Sequence, residues 1–252
     1  APPRSRAGRP AGRGWTRALF HAKSRRMDLT VKICGLSTEA TMDAALDAGA
    51  DMVGLVFFPK SPRFVPLPRA ASLAERARGR ADVVALIVDM DDRQIGEIVD
   101  RVKPDWLQLH GHETPERTAT IAGRFETRTI KAIGVSAREH LAEAHRYEGY
   151  ANGLLLDARP PEGADRPGGH GRVFDWRLLE DFRSPLTHFL SGGLTPENVA
   201  EAIAITRAPG VDVSSGVESE PGEKDVARIA AFITRARAAA RSVSREKQKA
   251  TS

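Results

Sequence analysis

One thiol, one carboxylate and two glycine-rich turns stand where strand-like runs of this 252-residue chain end. Cys34, the single cysteine, closes Val31-Lys32-Ile33-Cys34 before Gly35, and Asp157 closes the run Leu154-Leu155-Leu156. Ser191-Gly192-Gly193 and Ser214-Ser215-Gly216 each follow an apolar run and open a helical segment. A thiol and a carboxyl can move protons on and off a substrate, and glycine turns at helix starts offer backbone N–H groups to an oxyanion. Singly, each is ordinary. A free cysteine is most often a small buried hydrophobe, and Gly-Gly or Ser-Gly is a routine turn. Chemistry therefore depends on a fold that gathers all four on one face.

Hydrophobic periodicity supplies such a fold. Short β-branched or leucine-rich runs alternate with longer segments of helical period, which predicts a parallel sheet with crossover helices. Strands are predicted at 30–34, 52–57, 83–88, 106–109, 128–133, 153–157, 187–191 and 210–213. Helices are predicted at 39–47, 69–78, 92–101, 115–123, 137–146, 175–182, 196–205 and 224–239. Ser37 and Thr195-Pro196 read as helix starts, and Asp47-Ala48-Gly49-Ala50-Asp51 as a stop. Eight such pairs between Met27 and Ala240 fit an α/β fold made of a single (β/α)8 TIM barrel. An open doubly wound sheet is the fallback, although no Gly-x-Gly-x-x-Gly follows the first strand. In a barrel the carboxyl end of every strand opens on one mouth, so Cys34, Arg63, Asp157 and both glycine turns converge. The turns Gly192, Gly193 and Ser214, Ser215, Gly216 follow strands seven and eight, where many barrels bind phosphate. The segments 57–65 and 158–173 exceed a minimal turn, and each is either a functional lid or a tolerated insertion.

Charge and composition narrow the function further. The net charge of +5 suggests nucleic acid, but its location argues otherwise. Arg4, Arg6, Arg9, Arg13, Arg17, Lys23, Arg25 and Arg26 lie in the first 26 residues with no acid. That leaves 30 of the 38 basic side chains against all 33 acidic ones in 27–252, a net charge of −3. Residues 1–26 are expected to be a disordered Arg-rich extension: a transit-like peptide, a nucleic-acid arm or, the favoured reading, sequence upstream of a start at Met27. Residues 241–252 are expected to form a frayed polar tail. No apolar stretch approaches the ~18 residues of a membrane span. One cysteine makes neither an internal disulfide nor a multi-thiolate metal site, which fits a reducing cytoplasm.

Taken together, the motifs resemble a known family. Val31 to Gly35, Phe57-Phe58-Pro59-Lys60-Ser61-Pro62-Arg63, Leu107-Gln108-Leu109-His110-Gly111, Leu155-Leu156-Asp157, Gly171 to Trp176, Leu190 to Leu194 and Asp212 to Glu218 occur in the order seen in phosphoribosylanthranilate isomerase of tryptophan biosynthesis. The resemblance covers about 29–238. It implies an Amadori rearrangement with Asp157 as general acid, Cys34 as general base and Arg63 on the anthranilate carboxylate. An acid opens the furanose ring to an iminium, and a base then removes the C2′ proton to give an enolamine that becomes the ketone. No cofactor is needed, because the iminium nitrogen is the electron sink. Unperturbed aspartate and cysteine titrate near about 3.9 and 8.5, so each starts in the wrong form at neutral pH. The expected remedy is a partly desolvated Asp157 and a Cys34 thiolate favoured by Lys32, a helix amino end or the substrate's cation.

The remaining candidates divide by environment. His110 is read as structural or substrate-lining, and with His112 it lacks the partners of a metal site. Asp212 either orients groups in the mouth or caps the next helix, while Phe174 and Trp176 are read as packing residues. The chain is expected to act on a small phosphorylated molecule as a monomer or homodimer, without metal, membrane or nucleic acid. Two other functions are a related phosphosugar isomerase of histidine biosynthesis, whose first strand ends in aspartate, and nucleic-acid binding through residues 1–26.

Overall fold

The structure is a computed structural model that describes residues 29–159, 163, 168, 169, 171 and 173–250. The Arg-rich extension lies outside the described residues, as does much of the 158–173 segment. Eight strands close a parallel barrel in sequence order, β1 pairing with β8: β1 (Thr30–Cys34), β2 (Met52–Val56), β3 (Asp82–Ile87), β4 (Trp106–Leu109), β5 (Arg128–Val135), β6 (Gly153–Ala158), β7 (Thr187–Leu190) and β8 (Gly210–Val213). Among the described residues, seven α-helices follow in turn: α1 (Glu39–Asp47), α2 (Leu67–Ala77), α3 (Asp92–Val102), α4 (Pro115–Phe125), α5 (Glu139–His145), α6 (Val199–Thr206) and α7 (Val226–Ala250).

Strand alternation sorts the side chains into two cores. Outward residues such as Val31, Ile33, Val53 and Leu55 pack under the helices, and inward Met52, Val84, Ile130, Leu155 and Phe189 fill the barrel. Because β1 is buried on both faces, its inward positions Lys32 and Cys34 are enclosed with the barrel contents. Register places Lys32 opposite Asp212 of β8, so the barrel's closing seam fixes that pair.

Four local expectations differ from the structure. The helix predicted over 175–182 is a single 3-10 turn, Trp176–Leu179. Ser184-Pro185 follows within two turns, and a proline disfavours helix in the residue before it, leaving too few residues to offset nucleation. Trp176, Leu179 and Phe182 are buried nonetheless, so packing is satisfied without a helix. Thr38, not Ser37, caps α1 by accepting from the Thr41 N–H, and α6 starts at Val199 after a turn that Thr195 and Asn198 close. At the far end α7 continues to Ala250 where a frayed tail is predicted. Its early turns are anchored by buried Ile229, Phe232, Ile233 and Ala236, and the strong helix formers that follow propagate a helix already nucleated. A small hairpin, β9 (Glu218–Glu220) with β10 (Glu223–Lys224), was not foreseen.

Candidate active site

A cleft opens at the carboxyl ends of the strands. Cys34, Arg63, His110 and Asp157 line it, as do Gly192, Gly193, Ser214 and Ser215. Gly216 does not. A Cβ there would lie 1.7 Å from the Leu194 carbonyl oxygen, so this glycine lets the β7 and β8 loops touch and stands behind the lining. His112 points away, with its side chain 95% exposed beside Asp89.

Cys34 ends β1 almost wholly buried, with only 3% of its surface exposed, yet it borders the cleft. Beneath it Lys32 donates to Asp212 at 2.6 Å, and Ser191 donates to the other Asp212 oxygen at 3.3 Å. Burial alone would lower Lys32, but the Asp212 carboxylate and then Cys34 outweigh it and hold the ammonium above its ordinary value. For Cys34 the balance falls the other way. Burial pushes the thiol above its usual 9.0, more strongly than Lys32 pulls it down, and Asp212 adds to the rise. The expectation that Lys32 yields a thiolate is therefore corrected: Asp212 already neutralises that cation, and the sulfur sits out of water. Asp212 thus orients the mouth and does not cap a helix.

Arg63 is tied down by an acid that the sequence reading did not single out for a role. Its Nε and Nη2 donate to both oxygens of Glu218 at 2.7 and 2.8 Å, a two-pronged geometry that fixes the guanidinium plane. Lys224 also donates to Glu218 at 2.6 Å, to the Ser214 carbonyl at 2.9 Å and to the Ser214 hydroxyl at 3.2 Å. Burial raises the Glu218 carboxyl, but these cations overcome it and hold it below normal, whereas burial wins at Lys224 and lowers it. Ser214 in turn donates to the Cys34 carbonyl at 3.1 Å, so its hydroxyl joins β8 to β1 and is already committed. Glu218 and Lys224 belong to the unforeseen hairpin. An acid six residues before a lysine carries no recognisable spacing, and only the closed seam brings both to Arg63.

Asp157 ends β6 on the other side of the mouth. One oxygen accepts from the Ala158 N–H at 2.9 Å, and the other faces His110 Nε2 at 3.4 Å. The Gly168 backbone lies over both, since a Cβ there would come within 2.8 Å of the carboxylate and 2.7 Å of the imidazole. Gly169 approaches Arg63 Nη1 in the same way, so this part of the 158–173 segment closes against three side chains of the site.

Gly192 and Gly193 take left-handed φ values of +85° and +63°, which side chains resist. Asn198 donates to the Gly193 carbonyl at 2.9 Å and turns it away from the mouth. Gly193 and Ser215 both border the cleft, in the turns that follow β7 and β8. Glycine-rich turns at neighbouring strand ends are a setting in which backbone N–H groups receive an anion. No group of three or more His, Cys, Asp or Glu among the described residues could hold a metal, and no described helix is long and apolar enough to cross a membrane.

Comparison with known proteins fits this geometry. Residues 31–235 match the family described as N-(5'phosphoribosyl)anthranilate (PRA) isomerase. An N-(5'-phosphoribosyl)anthranilate isomerase of Rhodopseudomonas palustris is 59% identical over 215 residues, 85% of this chain and 99% of that protein. The crystal structure of phosphoribosyl anthranilate isomerase from Thermotoga maritima superposes with a TM-score of 0.76 at 37% identity, covering 83% of this chain and 99% of that one. A further isomerase structure, in complex with reduced 1-(o-carboxyphenylamino)-1-deoxyribulose 5-phosphate, gives a TM-score of 0.71 at 36% identity over 83% and 99% of the two chains.

Proposed function

The chain belongs to the N-(5'-phosphoribosyl)anthranilate isomerase family, and on that premise we propose how its mouth divides the labour of an Amadori rearrangement. The activity is the isomerisation of N-(5'-phosphoribosyl)anthranilate to 1-(2-carboxyphenylamino)-1-deoxyribulose 5-phosphate in tryptophan biosynthesis. The observation that carries the assignment of roles is the shared cleft: a thiol and a carboxyl border one cavity that the turns after β7 and β8 also line.

The phosphate seats on the N–H groups of Gly193 and Ser215, at the end of the β7 and β8 loops. Arg63, its plane fixed by Glu218, turns its remaining Nη1 edge to the anthranilate carboxylate. Asp157 protonates the furanose oxygen, and the bond to C1′ opens to leave an iminium. Cys34 then takes the C2′ proton, and the electrons of that C–H bond flow to the iminium nitrogen. Because the thiol is held protonated in the free protein, it releases that proton to water only when the iminium cation has formed beside the sulfur, and the thiolate then takes the C2′ proton. A thiolate standing ready would instead be open to oxidation and alkylation at all times. The buried Lys32–Asp212 pair keeps the ground beneath the sulfur electrically neutral while that charge appears and vanishes.

The decisive test is turnover of Cys34→Ala and Asp157→Asn. Each is expected to lose roughly 10²- to 10⁴-fold in kcat, the range of a general acid or base, while circular dichroism and the melting transition stay near those of the unaltered protein. Near-full turnover in both variants would refute the roles. Phosphate protection of the fold, read as a rise in Tm, reports independently on the cradle.

A further inference from the structure

Gln108 occupies an inward position of β4, two residues before His110, and is 1% exposed. Its carboxamide N–H donates to His110 Nδ1 at 3.0 Å. An NH₂ group can only donate, so Nδ1 accepts and the imidazole proton stands on Nε2, the nitrogen facing Asp157. The other half of the same amide, Oε1, has no hydrogen-bond partner. Four other buried side-chain atoms share that condition among the described residues, on Asp92, Thr118, Trp176 and His188, and none of those residues borders the cleft. Gln108 does. A buried acceptor without a donor is costly, and one kept at the edge of a binding cleft is explained when the ligand brings the donor.

Resting on the isomerase reading, we propose that Gln108 is both a positioning and a specificity-determining residue: its amide nitrogen sets the His110 tautomer, and its amide oxygen accepts a hydroxyl of the pentose. His110 then presents an Nε2 proton, and not a lone pair, to the Asp157 carboxyl, which fixes the orientation of that carboxyl in the mouth. The main chain around His110 is already pinned, because Lys131 donates to the Leu109 and Gly111 carbonyls at 3.2 and 2.6 Å and Glu113 accepts from the Gly111 N–H at 3.0 Å. With the backbone fixed, the ring's proton placement is the remaining freedom, and Gln108 removes it.

The test compares wild type with Gln108→Met, which keeps volume and flexibility, and with Gln108→Glu, which keeps the acceptor and loses the donor. The probes are reduced 1-(o-carboxyphenylamino)-1-deoxyribulose 5-phosphate and three analogues, each lacking one pentose hydroxyl. In wild type one analogue is expected to bind roughly 10- to 100-fold more weakly than the parent. In Gln108→Met that analogue and the parent bind alike, while the other two keep their ratios; in Gln108→Glu the discrimination persists. Imidazole ¹⁵N spectra are expected to show a protonated Nε2 in wild type, a mixture of tautomers in Gln108→Met and a protonated Nδ1 in Gln108→Glu. Unchanged binding ratios in Gln108→Met, or an Nδ1–H tautomer in wild type, would overturn the proposal and leave the isomerase reading intact. Failure of wild type to bind the parent compound would sink that reading and this inference with it.

Discussion

Lys32 on β1 and Lys131 on β5 project from opposite sides of the barrel, both almost completely buried and both bonded to a carboxylate, at 2.6 Å to Asp212 and 2.9 Å to Glu113. Their surroundings differ in kind. Lys131 spends its three protons on the Leu109 and Gly111 carbonyls and on Glu113, whose other oxygen accepts from the Asp89 N–H. That arrangement stitches the loops after β3 and β4 to β5. Lys32 has Asp212 on one side and the Cys34 thiol on the other, so part of its field falls on an atom whose charge changes. Two similar buried ion pairs thus stand in different settings: one fixes a loop, the other sets the electrostatic background of the thiol proposed as the base.

Breaking each pair separates those roles. Lys32→Met strands Asp212 without its cation, and the expected result is a stability loss of about 3–5 kcal/mol in denaturant titration. It should also bring a fall in kcat of roughly 10²-fold, measured where the protein remains folded. Lys131→Met is expected to lose about the same stability, because it too strands a buried carboxylate. Its kcat, measured below the melting transition, should stay within roughly 10-fold of the unaltered enzyme. Equal losses of turnover in the two variants would erase the distinction.

A smaller effect sharpens the Lys32 side. With the Cys34 thiol raised above its ordinary 9.0, the acid form prevails at pH 9 and below, and the thiolate gains only at higher pH. Iodoacetamide labelling of this single cysteine is accordingly expected to be slow at pH 8 and to accelerate only beyond pH 9, and Lys32→Met should push the rise further up. Rapid labelling at neutral pH would show a thiolate already present. The smallest change concerns the charged wall nearby: Arg63→Lys retains a cation but loses the fork that Glu218 holds. KM is expected to rise about 10-fold with kcat nearly unchanged, as for a group that binds substrate and transition state alike.

How much of this was legible in sequence varies with the range of the interaction. The strands were readable almost residue by residue, β1, β4 and β8 at both ends, because two-sided burial demands continuous apolar runs that local composition reveals. Helix ends were read less well. Thr38 and Asn198 compete with adjacent polar residues for capping, and the choice depends on backbone angles fixed by packing. The site was visible as Cys34, Asp157, Arg63 and the two glycine turns, since strand-end position in an α/β repeat implies the mouth. Glu218, Lys224 and the unpartnered oxygen of Gln108 were not visible as site features.

Sequence by itself determined the alternation of apolar strands and amphipathic helices, and with it the barrel and the face on which its strand ends open. It also supplied the single thiol and the glycines whose backbone conformations other residues resist. Tertiary structure alone decided the charges: whether Lys32 would activate the thiol or be neutralised first depends on Asp212, 180 residues away and brought to 2.6 Å by the closing of β1 onto β8. The reason is one of length scale. Burial patterns repeat over a few residues and are written locally, whereas the state of a buried ionisable group is the sum of desolvation and nearby charges that only the closed barrel assembles.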